Sequence, residues 1–156
     1  MRRRTADKRI VRLDPKYSSP MVTRFVNIVM THGQKAVAER IVYGALDILV
    51  QKTSEDSPIK VLNKVMDNVR PRLEVKPRRV GGATYQVPVE VSVPRGNSLA
   101  MRWLRDFART KKGKPMKVKL ADELMMAYKG EGSAIKKRDE THKMAEANKA
   151  FSHLRW

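Results

Sequence analysis

The pair Gly81-Gly82 constrains this chain most, because it joins two stretches that alternate with a period of two residues. Before the glycines, Leu73 and Val75 alternate with charged neighbours; after them, Tyr85, Val87, Val89 and Val91 recur at every second position. That period predicts two β-strands, and the glycines supply the turn of a hairpin at about residues 72–91. Pro77 and Pro88 cannot donate a ladder hydrogen bond, so each needs an edge, and a two-stranded ribbon is all edge. No third strand pattern is available to pair with it. A ribbon of two strands is marginal alone, so this one needs a helical body at its root or a partner along its length. Arg72, Lys76, Arg78 and Arg79 point to a polyanionic partner. Strands of about eight residues reach on the order of 25 Å, enough to project from a small domain.

The flanking sequence is helical. Ser19-Pro20 and Ser57-Pro58 each combine an N-cap residue with a proline at the first helical position. The first pair precedes the stripe Val22, Phe25, Val26 and Val29, which Gly33 closes; the second precedes Ile59, Leu62, Val65, Met66 and Val69. Between them, from Lys35 to about Gln51, Ala38, Ile41, Ala45 and Leu49 line one face. Val37, Val42, Leu46 and Ile48 widen that face until most of the helix reads as buried. After the ribbon, Asn97 or Ser98 can cap a fourth helix, and Ser92 with Pro94 offers an earlier start. On that helix Ala100, Trp103, Leu104 and Phe107 fall on one side, with Arg95, Arg102, Arg105 and Arg109 on another. Pro115 opens a fifth helix carrying Leu120, Ala121, Leu124 and Tyr128. A sixth runs from about residue 133 to 150, with packing roles assigned to Met144 and Ala147 and, in the tail, Phe151 and Leu154. The expected architecture is mainly α: one domain over residues 20–156 with six helices, a protruding two-stranded antiparallel β-ribbon, and a basic extended arm over residues 1–19. The arm has little to bury and is expected to order on binding.

Charge sets the partner class. The chain of 156 residues has 34 Lys and Arg against 16 Asp and Glu, a formal net charge of +18. Such an excess repels itself unless a polyanion neutralises it, which favours nucleic acid over a merely solvated surface. There is no cysteine, so disulfides and thiolate metal sites are excluded. No apolar run approaches the roughly 20 residues that span a bilayer, and no apolar segment follows the basic start as in a secretory signal. A cytosolic protein is the expectation, with no membrane partner and no homo-oligomer.

Catalytic patterns are missing. His32, His142 and His153 have no metal-ligand spacing and read as solvated or hydrogen-bonded side chains. The acid pairs Asp122-Glu123 and Asp139-Glu140 are adjacent in sequence, so on a helix they point about 100° apart and do not converge on a substrate. Trp103 reads as core; Trp156, at the terminus, is free to stack on a base or a partner. No cofactor, metal or enzymatic activity is expected. A β-ribbon DNA-architectural protein is the alternative, because basic ribbons with a proline also embrace and kink duplex DNA. Such proteins usually dimerise through an apolar face, and no surplus face is evident.

EVKPRRVGGATYQVPVEV (residues 74–91), LAMRWL (99–104), KMAEANKAFSHLRW (143–156), RFVNIVM (24–30) and the arginine-rich start together resemble the bacterial-type ribosomal protein seven family of the small subunit. The resemblance covers essentially the whole chain. Ser152 and Leu154 stand where alanine and tyrosine are expected, which removes an aromatic ring at position 154. The resemblance implies a primary binder of small-subunit ribosomal RNA that nucleates assembly of the head, the large three-prime domain. It also implies a position at the subunit interface near the exit-site transfer RNA and beside other small-subunit proteins, in a cytoplasmic or organellar ribosome. Carried over by position, the RNA would be held by Arg2, Arg3, Arg4, Arg9 and Arg12 of the arm and by Lys76, Arg78 and Arg79 of the ribbon. Arg95, Arg102 and Arg109 of the fourth helix and Lys111, Lys112 and Lys114 of the following loop join them, with Lys136, Lys137 and Arg138 on the sixth helix. Gly81, Gly82, Tyr85, Lys143 and Trp156 are the candidates for the transfer RNA side.

Overall fold

Two Ser-Pro pairs start helices where the sequence places them. In the computed structural model, which describes residues 10–53, 55 and 57–154, Pro20 opens helix α1 (Pro20–Val29) and Pro58 opens α3 (Pro58–Val69). Proline there presets φ and removes one of the N–H groups that a helix start leaves unpaired. Ser19 and Ser57 hold the N-cap positions in extended conformation, but neither hydroxyl makes a capping hydrogen bond. The start signal is therefore carried by the prolines.

Helix α2 (Lys35–Thr53) lies between these two, and the ribbon of β1 (Leu73–Val80) and β2 (Ala83–Glu90) follows α3. The chain then forms α4 (Val93–Thr110), α5 (Met116–Tyr128), α6 (Ser133–Ala147) and a short 3₁₀ segment at Lys149–Leu154, where the sequence reads as the end of the sixth helix and a tail. Of the two starts open for α4, the earlier is observed. Ser92 is the N-cap, Pro94 fits the first turn, and Ser98 Oγ donates 3.0 Å back to Pro94 O inside the helix.

The core gathers Val22, Phe25 and Val26 of α1, Val42, Leu46 and Leu49 of α2, Leu62, Val65 and Met66 of α3, Met101 and Leu104 of α4, and Leu120 and Leu124 of α5. Trp103 and Phe107 are half-buried against it. Two helices differ from expectation. Val37 stays 40% exposed and Ile41 and Ile48 are half-buried, so α2 keeps a wet side. On α6, Met144 is 48% exposed and Ala147 is exposed, whereas Ala134, Ile135 and Ala145 are buried. The packing face of α6 runs through Ala134, Arg138, Thr141 and Ala145, out of phase with the large apolar residues used to locate it.

Residues assigned wholly to the arm include an anchor. Asp14 is buried: its Oδ1 accepts 2.6 Å from Tyr43 Oη, and its Oδ2 accepts from the backbone N–H groups of Lys16 at 3.1 Å and Tyr17 at 2.9 Å. Burial first, and then the hydrogen bond to Asp14, push the Tyr43 phenol well above its usual pKa. Thr23 Oγ1 donates 2.9 Å to Arg12 O. Ile10 and Leu13, by contrast, are exposed.

The α5–α6 junction carries a buried charge. Glu123 has no solvent exposure; its Oε1 accepts 3.2 Å from Ala134 N–H in the first turn of α6, and its Oε2 lies 2.7 Å from the Lys111 ammonium. The second contact is a close ion pair whose angles fall outside hydrogen-bond geometry. Gly132 completes the turn with φ +96°, where an added Cβ would stand 2.9 Å from Met126 Cβ. Removing one partner of a buried ion pair leaves the other uncompensated, so Glu123→Ala is expected to cost on the order of 3 kcal/mol. Glu123→Gln, which keeps the acceptor for Ala134, is expected to cost less. Urea denaturation measures both, and an alanine midpoint matching the wild type would show that Glu123 holds nothing.

Candidate nucleic-acid interface

The ribbon pairs in unbroken antiparallel register from Leu73↔Glu90 to Val80↔Ala83, closed by a two-residue turn. Gly81 and Gly82 have φ +57° and +92°, the left-handed pair that a type I′ turn requires. Two elements hold its root and a third meets it nearer the turn. Glu74, buried on β1, accepts from Arg95 Nε of α4 with 2.8 Å to both carboxylate oxygens, and Lys76 Nζ lies 3.1 Å from Oε1. His142 Nε2 of α6 accepts 3.0 Å from Arg72 N–H, the residue before β1. The rings of Tyr85 and Phe151 meet at 5.2 Å. A body at the root therefore orders the ribbon, while Arg79, Gly81, Gly82 and Thr84 stay exposed at the tip.

The expected RNA contacts divide by what they already hold. Several are committed to the fold. Arg109 Nη2 donates 3.2 Å to Val29 O and 2.9 Å to Thr31 Oγ1, and Arg105 Nη1 donates 3.1 Å to Ile28 O; together they cap the C-terminal end of α1. Arg138 donates to Asn68 O at the end of α3 and to Asp139 Oδ1. Lys111, with a side chain only 28% exposed, is engaged with Glu123. Arg95 holds Glu74, and its other face is open to solvent.

A second group makes exposed, exchangeable pairs. Lys114 Nζ is 3.3 Å from Asp122, which also meets Lys52 at 3.4 Å, and Lys137 is 3.7 Å from Glu140. Burial alone would raise the Asp122 pKa, but the two ammonium groups outweigh it and hold the carboxyl below its usual range. Surface pairs of this kind contribute roughly 0–1 kcal/mol each, so a phosphate can displace the acid cheaply.

A third group is open. Arg12, Arg79, Arg102, Lys112, Lys136 and Lys143 are exposed, and among the described residues the Arg102 side chain makes one bond, 3.2 Å from Nε to Ser98 O of its own helix. Arg95, Arg102 and Arg109 are spaced by seven residues along α4, a spacing that drifts only about 20° per repeat, so they share one face. Arg78 pairs in register with Tyr85, and Arg79 with Thr84. Arg2, Arg3, Arg4, Arg9 and Trp156 lie outside the described residues. Sequence reasoning missed that Glu123, Arg105 and Asn68 are structural. It also missed the depression lined by Asp67, Arg70, Arg72, Arg138 and His142.

Among the described residues no group of His, Asp and Glu is placed to hold a metal ion, and no helix is long and apolar enough to cross a membrane.

The family model described as ribosomal protein S7p/S5e matches residues 1–149. This chain belongs to that family. Its relatives include the small ribosomal subunit protein uS7 of Fervidobacterium nodosum, 59% identical over 156 residues and the full length of both chains. The uS7 protein of Thermotoga maritima is 55% identical over the same span, and that of Idiomarina loihiensis is 55% identical over 155 residues, 99% of each chain. For an S7-family chain the sorting above separates the cations that build the helical scaffold from those left to meet a ligand.

The His142 contact predicts a pH response. Accepting from Arg72 N–H needs an unprotonated Nε2, and burial first, then the Arg138 guanidinium and Arg72, push the pKa below its usual 6.5, against Asp139, which raises it. Asp67 of α3 and Arg70, its C-cap residue, face the same depression. With the folded pKa below the unfolded one, the unfolded chain binds more protons, so stability is full above about pH 6.5 and declines as pH falls through the folded pKa. Between about pH 7 and 5.5 the urea midpoint of the wild type should fall more than that of His142→Gln, whose amide oxygen accepts the same bond without titrating. Parallel curves would remove His142 from the ribbon's support.

Proposed function

We propose that this protein is a structural RNA-binding component of the small ribosomal subunit, not an enzyme, and that it binds the three-prime major (head) domain of small-subunit ribosomal RNA as a primary binder. Membership of the S7p/S5e family across residues 1–149 carries the reading, and full-length likeness to proteins named for the small ribosomal subunit supports it. The physical arrangement is what such a task needs. Folded RNA is recognised through backbone, bulges and shape, which calls for cations fixed at a distance from one another on a rigid body more than for a pocket. In this reading the open face of α4 (Arg95, Arg102), Lys112 and Lys114 after it, the ribbon flank at Lys76, Arg78 and Arg79, and the basic arm meet phosphates. Arg109, Lys111 and Arg138 hold the scaffold that presents them.

In the same reading, binding nucleates assembly of the head, and the protein lies at the subunit interface. The exposed ribbon tip at Gly81-Gly82, together with Lys143, faces the exit-site transfer RNA, and other small-subunit proteins flank it. Tyr85 has given a ring contact to Phe151, so the tip glycines, which bring backbone close to a ligand, fit that role better. The Asp14–Tyr43 anchor sets where the arm leaves the body.

Neutralising about six to ten phosphates makes affinity fall roughly 10³- to 10⁵-fold between about 50 and 200 mM salt. Binding to a head-domain RNA fragment should show that dependence, and should exceed binding to duplex DNA at equal salt. A flat salt response, or equal affinity for both, would overturn the reading. The side chains of Arg79 and Lys112 are exposed with no partner among the described residues, so Arg79→Ala with Lys112→Ala should weaken RNA binding at least about tenfold, the range of lost charge-assisted hydrogen bonds. The circular dichroism spectrum should be unchanged, and lost helicity would make these residues structural.

A further inference from the structure

We propose that the depression between α3, β1 and α6, lined by Asp67, Arg70, Arg72, Arg138 and His142, is a phosphate site that holds one phosphodiester of the bound RNA. The proposal rests on the RNA-binding reading above and brings Arg70, Asp67 and His142 together with Arg72 and Arg138, which the sequence already offered as cations for a polyanion. The depression is about 290 Å³ and gathers three guanidinium groups and an imidazole against one lining carboxylate. That carboxylate is a weak competitor. Asp67 meets Arg70 Nη2 at 3.2 Å with its side chain 64% exposed, a surface pair that solvent screens heavily.

The three arginines divide the work. Arg138 is oriented in advance: Asp139 holds its Nε and Nη2 and Asn68 O accepts from its Nη1, which leaves further N–H donors on the same planar group. Its bond to Asn68 O also covers the carbonyl end of α3, which would otherwise repel an anion. Arg72 is exposed, and its guanidinium has no partner among the described residues, while its backbone N–H is fixed by His142. Arg70 is shared with Asp67 and can turn to a stronger acceptor. Guanidinium groups cannot shed their charge at neutral pH; Asp67 and Asp139 offset part of the crowding of three of them, and a phosphate, whose oxygens their planar forks match two at a time, would offset the rest.

Room beside the site favours a phosphodiester over a free ion. Arg72 and His142 also wall a second cleft of about 470 Å³, where the half-buried Leu73 and Pro88 offer an apolar surface to a nucleoside attached to the phosphate.

The test uses the full chain at constant ionic strength, with UpU and inorganic phosphate as probes read by NMR at the side chains of Arg72, Arg138 and His142. UpU should give saturable shifts confined to these residues. Arg72→Gln, which keeps the backbone bond to His142, should weaken UpU at least about tenfold, as expected for loss of a charge-assisted hydrogen bond. With a head-domain RNA fragment the same variant should lower the log–log salt slope by about 0.7 to 0.9, one phosphate's share. Shifts that never saturate, or that persist unchanged in the variant, would overturn the site. Saturation by inorganic phosphate but not UpU, or an unchanged salt slope, would overturn its assignment to RNA. A wild-type chain that binds UpU but ignores the RNA fragment would sink the functional reading while leaving the phosphate site in place.

Discussion

An α-helix leaves its last carbonyls and its first N–H groups without partners, and in this chain side chains from distant helices reach in to bind them. Arg105 and Arg109 of α4 cover the carbonyl end of α1 through Ile28 O and Val29 O. Asn68 of α3 donates to Ala127 O and Tyr128 O at the end of α5, while its own carbonyl accepts from Arg138 of α6. Glu123 of α5 receives the first-turn N–H of Ala134 on α6. Each bond ties the position of one helix end to the face of another. Apolar packing alone tolerates small slides and rotations, whereas a guanidinium on a carbonyl tolerates less, since misplacement takes the partner away from a helix-end carbonyl.

That geometry matters because the surface is useful only if it is stiff. RNA phosphates are spaced by the RNA, and a protein with cations on mobile supports would lose the entropy of ordering them at the moment of binding. The ribbon extends the same logic. It is too thin to order itself, yet Glu74, Arg72 and Tyr85 each meet a different element, so its direction is set by two contacts at the root and one nearer the turn, and the turn itself is left open.

Most of the frame was legible in the sequence because it follows from local rules. Period-two residues around Gly81-Gly82, and proline at the first turn of α1 and α3, report on their own surroundings, and the structure has the ribbon and both helix starts at those places. What escaped was non-local. Nothing near Glu123 in the chain says that Lys111 and Ala134 will meet it, and an Asp-Glu pair on a basic helix reads as solvated until the fold closes over one of the two. The face of α6 was misplaced for a related reason. A search for large apolar residues favours Met144, whereas the buried side is built from alanines with Arg138 among them, and an arginine that caps another helix has no apolar signature. The same blindness affected the candidate contacts: sequence counts every arginine as available, and only coordinates separate Arg109, spent on α1, from Arg102, which faces water.

The cations that hold helix-end carbonyls are arginines, although Lys111 also serves the scaffold through Glu123 and Arg79 and Arg102 stay open, and that preference has an energetic basis. Arginine presents a rigid fork of donors that stays charged when half-buried, which suits it to hold carbonyls inside the scaffold. Lysine is a flexible, strongly hydrated charge, and here Lys16, Lys52, Lys76 and Lys114 rest on Asp47, Asp122 and Glu74 in pairs with substantially exposed ammonium groups. In the free protein such pairs offset part of the repulsion expected at a net charge of +18. When a phosphate arrives, each lysine can exchange a weak carboxylate contact for a phosphate one while the helices stay where the arginines hold them. A chain with the same charge but with lysines at the helix ends and arginines in the surface pairs would have a softer body and stickier surface salt bridges, and would be worse on both counts at holding a folded polyanion.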